Sequence, residues 1–286
     1  MSRSYRVGLV GHGIGPSLTP AMHVREARTL GLDYHYEIVD LIDRVDVDLR
    51  EVLDRLERDG FDAVNVTHPF KQDVLAHVHE RSEVVQRVGS ANLVLLGENR
   101  VAHNTDYAGF RAGLEAFLAD LDRPGRAETG TVVQIGAGGA GLATACALVD
   151  LGLPVVVHDR SEEASRRLVD RLGGPLLSTS GGELEPHLTS AAGVVHVTPT
   201  GMKEHPGTAF DVARLPQDAW VAEVVYRPLS TELVRGARAR GLATLDGGAM
   251  AVGQAVESVR LITGMVPDAA RMHAHFAELV EPGSAA

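Results

Sequence analysis

The feature that most restricts what this chain can fold into is a trio of glycines, Gly136, Gly138 and Gly141, set between the apolar stretch TVVQI and the helix-period stretch LATACALVDLG. A G-x-G-x-x-G repeat alone is common, but at a strand-to-helix turn it acquires a physical meaning. The first glycine permits a tight turn, the second lets backbone approach a pyrophosphate, and the third lets helix and strand pack closely. The helix N-terminus then offers oriented N–H groups to the phosphates. With Ala137, Gly139 and Ala140, these residues form the expected phosphate loop of a dinucleotide-binding unit. A second apolar strand, PVVVHD, ends in Asp159, eighteen residues after Gly141. An acid at that distance is expected to hydrogen-bond the adenosine ribose. Its carboxylate would repel a 2′-phosphate and so favours NAD; the adjacent Arg160, which could pair with that phosphate or lie flat over adenine, keeps NADP as the alternative.

Around this motif, strand-like and helix-like runs alternate. RVGLVG, PAMHVREARTLG, DYHYEIVDL, VDLREVLDRLERDG, FDAVNV and PFKQDVLAHVHERS precede two short strands in LVLLGENRVAHNT and a helix over YAGFRAGLEAFLADL. After a polar Gly/Pro-containing connector at 122–130, a second series runs through PVVVHD, GVVHVT and WVAEVVY to LATLDG, and two amphipathic helices close the chain, the second starting at Pro267. Such alternation predicts an α/β protein with largely parallel sheets. A chain of 286 residues, 44% hydrophobic, is long enough for two domains. A formal charge of −11 repels polyanions, arguing against nucleic acid and anionic membranes as partners. The first apolar run, Val7 to Val10, is too short for a leader or a spanning helix, so a cytoplasmic protein is expected. Cys146 is the only cysteine and reads as a small buried hydrophobe. The thirteen histidines show no metal-ligand spacing, so no metal is expected.

Polar residues in the first half stand where an ordinary core would not need them. In GPSLTPAMH, Thr19 before Pro20 reads as a helix N-cap, and with Ser17 and the helix amides it would cradle a carboxylate. In NVTHPFKQ, Pro69 predicts a helix start with Lys71 in its first turn, where the helix dipole disfavours an ammonium and would tune the amine for acid/base work. Asp106 in HNTDYAGF falls at another helix start and is either a cap or a carboxylate that holds Lys71 in place.

NVTHPFK, then SAN with Asn92, then HNTD, GAGGA, Tyr226-x-Pro228 and a glycine-flanked stretch leading to Gln254 occur in an order that resembles the shikimate/quinate dehydrogenase family over essentially the whole chain. The resemblance implies reversible oxidation of a ring hydroxyl of shikimate or quinate, with Lys71 and Asp106 as the catalytic pair. It implies that Ser17 and Thr19 hold the substrate carboxylate near Tyr226, and that Thr67, Asn92 and Gln254 bind ring hydroxyls. On the nicotinamide side it implies Thr198, Val224 and Gly247. It further implies a discontinuous substrate domain, 1–106 with 249–286, and an inserted Rossmann-type doubly wound domain, 107–248, in a monomer or homodimer.

The departures from the family pattern are informative. Pro16 and Thr19 replace a histidine and a serine at the opening motif, Asp159-Arg160-Ser161 replaces Asn-Arg-Thr, Glu223 replaces an aspartate, and Gly247-Gly248-Ala249-Met250 replaces G-x-G-M. Asp159 makes the chain most similar to the NAD-dependent quinate/shikimate branch. The competing readings are an NADP-dependent biosynthetic shikimate dehydrogenase, a dehydrogenase of an amino-substituted analogue, and a non-catalytic nucleotide sensor.

Overall fold

The computed structural model describes residues 3–44, 46–121 and 130–280, so the expected connector lies outside the described residues except for its last residue. The chain forms two compact units, Met1–Asp106 with Val252–Ala286, and Tyr107–Ala251.

The first unit opens with β1 (Ser4–Gly11), α1 (Thr19–Thr29), β2 (Asp33–Asp40), α2 (Leu49–Arg58) and β3 (Ala63–Val66). Next come β4 (Glu80–Arg81), α3 (Glu83–Val88), β5 (Leu93–Leu95) and β6 (Val101–His103), and then α4 (Thr105–Ala119), which starts at the end of this stretch and belongs to the second unit from Tyr107 on. Its mixed sheet has the order β2-β1-β3-β5-β6-β4, with β1 parallel to both neighbours and β5 antiparallel to β3 and β6. α2 shows why such segments form where they do. Asp48 caps it by accepting the Arg50 and Glu51 amides at 2.8 and 3.3 Å, and Leu49, Val52, Leu53 and Leu56 recur at helical spacing on its buried face.

One expected helix is absent. After Pro69 the chain makes only a 3₁₀ turn, Asp73–His77, and then enters β4. The amides of His79 and Glu80 donate to Arg100 O at 2.9 and 3.0 Å, and that of Ser82 to Ala102 O at 2.9 Å. Pairing beside β6 thus takes the backbone donors that a longer helix would have used. Phe70, Val74 and Leu75 still reach the core formed with α2.

The second unit contains β7 (Val132–Ile135), α5 (Gly139–Asp150), β8 (Val155–His158), α6 (Glu162–Leu172), β9 (Leu177–Thr179), α7 (Glu185–Leu188), β10 (Gly193–His196), β11 (Trp220–Glu223), α8 (Glu232–Ala239) and β12 (Ala243–Leu245). All its strands are parallel, in the order β12-β11-β10-β7-β8-β9. This is a doubly wound sheet whose strand order reverses between β7 and β10. Every residue of β7, β10 and β11 is buried, which explains their nearly unbroken apolar runs. Neither β9 nor α7 was legible in the sequence pattern.

Two helices, α9 (Gly248–Thr263) and α10 (Ala269–Val280), end the chain. Helix α10 starts beyond Pro267, with the Asp268 carboxylate accepting the Arg271 amide at 3.0 Å. Arg271 clamps Glu26 of α1 through Nη2–Oε1 at 2.6 Å and Nε–Oε2 at 2.9 Å, and the Asp268 amide adds a third bond to Glu26 at 2.9 Å. Glu26 is 2% exposed, so these donors compensate a carboxylate taken out of water. No helix among the described residues is long and apolar enough to cross a membrane.

Candidate active site

Sheet topology brings the polar segments of the first unit to one edge. Neighbouring β1 and β3 are parallel, with Val10 opposite Val66, so the loop carrying Ser17 and the turn carrying Thr67 and Lys71 leave the sheet at the same end. β5 runs the other way, with Leu93 opposite Asn65, so Asn92 enters at that end. β6 reverses again, with His103 opposite Leu93, and delivers Asp106 there.

Lys71 Nζ donates to Asp106 Oδ2 at 2.5 Å. The aspartate side chain is 9% exposed and the lysine side chain 21%, so the pair is sheltered yet reachable. Lys71 lies in the turn before Asp73–His77, not in an α-helix, and the expected dipole effect on its amine has no helix to arise from. The Asp106 carboxylate is the partner that holds the amine. Lys71 O accepts the Ala91 amide at 2.7 Å, which fixes the lysine backbone to the SAN segment.

Asn92 is buried and heavily engaged, its Oδ1 accepting the Thr105 amide at 2.6 Å and its Nδ2 donating to Thr105 Oγ1 at 2.9 Å. One Nδ2 hydrogen is left over from these bonds for a further acceptor. Thr105 Oγ1 also meets Ser258 Oγ of α9 at 3.2 Å, and Asn65 Nδ2 donates to the same Ser258 oxygen at 3.2 Å. Gln254 precedes Ser258 by one helical turn and so shares its side of α9. Thr19 is the first residue of α1, and the cap position belongs to Leu18 without a side-chain bond, correcting the expected N-cap. Ser17 Oγ accepts the Thr19 amide at 3.3 Å, so the turn closes one residue earlier. Asp40, at the end of β2, anchors the preceding loop by accepting the amides of Gly13 and Ile14 at 2.9 and 2.8 Å. Burial pushes its carboxyl up, but the amides of Gly13, Ile42, Ile14 and Gly15 outweigh this and hold it below the usual range. Tyr226 lies in the other unit, after β11.

In the second unit, the carboxyl ends of five parallel strands carry the expected nucleotide residues. Gly136 has φ +117°, and a Cβ on it would stand 2.5 Å from Val197 O. A Cβ on Gly141 would stand 2.5 Å from Gly136 O, so helix packing accounts for this glycine. A Cβ on Gly138 would meet nothing within 4 Å. No contact within the protein calls for that glycine, and its lack of a side chain leaves the loop backbone open to the approach of a pyrophosphate. Helix α5 begins there without a side-chain cap and without an acid in its first turn, as suits a phosphate-binding N-terminus. These residues fit a dinucleotide.

Asp159 accepts the Ala137 amide through Oδ2 and the Ser161 amide through Oδ1, each at 2.9 Å, and is thereby held beside the glycine loop. Arg160 is exposed. Thr198 follows β10, and Val224 follows β11. Gly247 follows β12 and presses on the latter segment, since a Cβ there would lie 2.4 Å from Val225 O.

Sequence reasoning missed several supports. Gln134 donates through Nε2 to Gly136 O and Gly141 O at 3.0 and 2.9 Å, bracing the loop from beneath. Ser258, Asn65 and His196 were also missed as structural polar residues, and Glu223, noted only as a departure from the family pattern, was not read as one. A polar residue inside or ending a wholly buried strand is the signal that could have found Gln134, Asn65, His196 and Glu223.

Residues 9–94 match the family model described as the shikimate dehydrogenase substrate binding domain. The chain is 49% identical to the shikimate dehydrogenase (NADP(+)) of Streptomyces avermitilis, over 96% of each chain. It is 40% identical to the quinate/shikimate dehydrogenase (NAD(+)) of Corynebacterium glutamicum strain R, over 98% of this chain and 100% of the relative. Among solved structures, the quinate dehydrogenase from Corynebacterium glutamicum in complex with NAD superposes with a TM-score of 0.89 at 40% identity, covering 96% of this chain and 99% of that one. With a doubly wound nucleotide unit, a lysine–aspartate pair at the edge of a mixed sheet and these likenesses along its length, the chain belongs to the shikimate dehydrogenase family of NAD(P)-dependent enzymes.

Proposed function

We propose that this enzyme interconverts shikimate with 3-dehydroshikimate, quinate with 3-dehydroquinate, or both, and that NAD is its preferred cofactor. The observation that carries the chemistry is the Lys71–Asp106 pair at 2.5 Å. Residues 1–106 and 249–286 act as the substrate domain, and 107–248 as the nucleotide domain. Ser17 and Thr19 receive the carboxylate with Tyr226 contributing, and Thr67, Asn92 and Gln254 receive ring hydroxyls. A bound nicotinamide would supply the hydride chemistry. During oxidation Lys71 takes the hydroxyl proton, directly or through Asp106 and water, and in reduction it gives the proton back. Asp106 holds the amine in position throughout.

The preference for NAD rests on Asp159, whose carboxylate would face a 2′-phosphate unfavourably. Arg160 and the NADP-dependent name of the Streptomyces relative favour the second reading, use of NADP. Steady-state kinetics over shikimate and quinate crossed with NAD+ and NADP+ tests both. The proposal expects turnover with at least one acid and a higher kcat/KM for NAD+, with Asp159→Ala eroding that preference. A higher kcat/KM for NADP+ would refute the cofactor assignment, and no turnover in any combination would refute the reaction.

A further inference from the structure

The ends of β10 and β11 hold a buried histidine–glutamate pair. The side chains of His196 and Glu223 are 1% and 0% exposed. His196 Nδ1 meets Glu223 Oε1 at 2.9 Å, and Nε2 meets Thr198 Oγ1 at 2.5 Å. With Glu223 accepting, Nδ1 carries the hydrogen; a neutral ring then accepts the Thr198 hydroxyl at Nε2, and the Thr198 oxygen in turn accepts the Thr200 amide at 3.2 Å. Glu223 Oε1 also accepts the Val225 amide at 3.0 Å, and Oε2 accepts the Thr231 hydroxyl at 3.2 Å. Three segments besides the two strand ends therefore hang from one imidazole–carboxylate pair: the loop from Thr198 to Thr200, the turn through Val224 and Val225, and the start of α8. Apolar side chains could fill this space without buried charge, so packing alone does not call for the pair. What it adds is directional control over two adjacent loops.

We propose that His196 and Glu223 are positioning residues for the nicotinamide half of the cofactor, acting through Thr198 and the Val224–Val225 backbone. The inference rests on the assignment of the second unit as the nucleotide domain. Both side chains are enclosed by protein, so they act on a cofactor only through these loops. They fix the loops on one side of the strand-order reversal, whereas Gly138 and Asp159 serve the adenosine and phosphates on the other. Loss of the pair should disturb one half of the dinucleotide and spare the other.

The test compares ADP-ribose and its 2′-phosphorylated form, which lack nicotinamide, with whole NAD+ and NADP+ in equilibrium binding to the full-length enzyme, alongside kcat. His196→Ala should bind the ribose fragments within about twofold of the unaltered enzyme, while whole-cofactor affinity and kcat each fall about tenfold to a hundredfold, the scale of a displaced reacting group. Glu223→Gln keeps an acceptor for Nδ1 and should fall between the two. Thr198→Val cuts the link at the loop without emptying the buried cluster, and it should show the same split if His196→Ala does not fold. Equal losses for fragment and whole cofactor, or no loss for either, would overturn the proposal. Failure of the unaltered enzyme to bind either fragment would instead overturn the nucleotide-domain assignment beneath it.

Discussion

A lysine amine stands 2.5 Å from an aspartate carboxylate contributed from 35 positions away. Replacing Lys71 with alanine should lower kcat by about two to four orders of magnitude, the usual cost of losing a general acid/base. Equilibrium binding should show nucleotide affinity unchanged, and full turnover in the variant would remove Lys71 from the chemistry. The pairing itself was legible because each residue stands in a short motif beside a recognisable element. The physical reason read from sequence was wrong, since a turn replaces the helix expected at Lys71. Ser258 was not legible, because its importance comes from Asn65, 193 positions away.

At the scale of elements, regular periodicity was readable wherever a segment's own side chains decided its fate. α2, with its Asp48 cap and spaced leucines, is such a case. The stretch after Pro69 has equally good apolar spacing, yet its backbone pairs beside β6, a choice made by a partner some twenty residues downstream. Loops depend still more on distant anchors. Asp40 holds the segment before Ser17 through backbone amides, so Asp40→Ala should raise KM for the acid by about fivefold while leaving KM for the nucleotide unchanged. Steady-state kinetics would show it, and an unchanged KM for the acid would mean that the loop keeps its shape without this anchor.

For the molecule as a whole, α/β class followed from the alternation and a dinucleotide-binding unit from the glycine motif, while the doubly wound order of the second sheet was implied by the family resemblance. Global stability, however, turns on a residue that no pattern marks. His23 is buried against the Tyr34 hydroxyl at 2.9 Å, and burial pushes its pKa down to about 3. Burial likewise lowers His103, His158 and His275. The unfolded chain, with its histidines near 6.5, takes up protons first as the pH falls. The contribution is therefore complete above about pH 6.5, and His23 alone removes about 1.4 kcal/mol of stability per pH unit below it until about pH 3. Urea unfolding between about pH 7 and pH 5 should show this decline, and His23→Phe should flatten it. An identical slope in the variant would assign the acid sensitivity elsewhere. The clamp between Glu26 and Arg271 has a different kind of consequence, one concerning birth order. On the ribosome the stretch from Tyr107 to Ala251 is complete before Arg271 has been translated, so the nucleotide-side unit can mature while the older, N-terminal half still waits for its counter-ion.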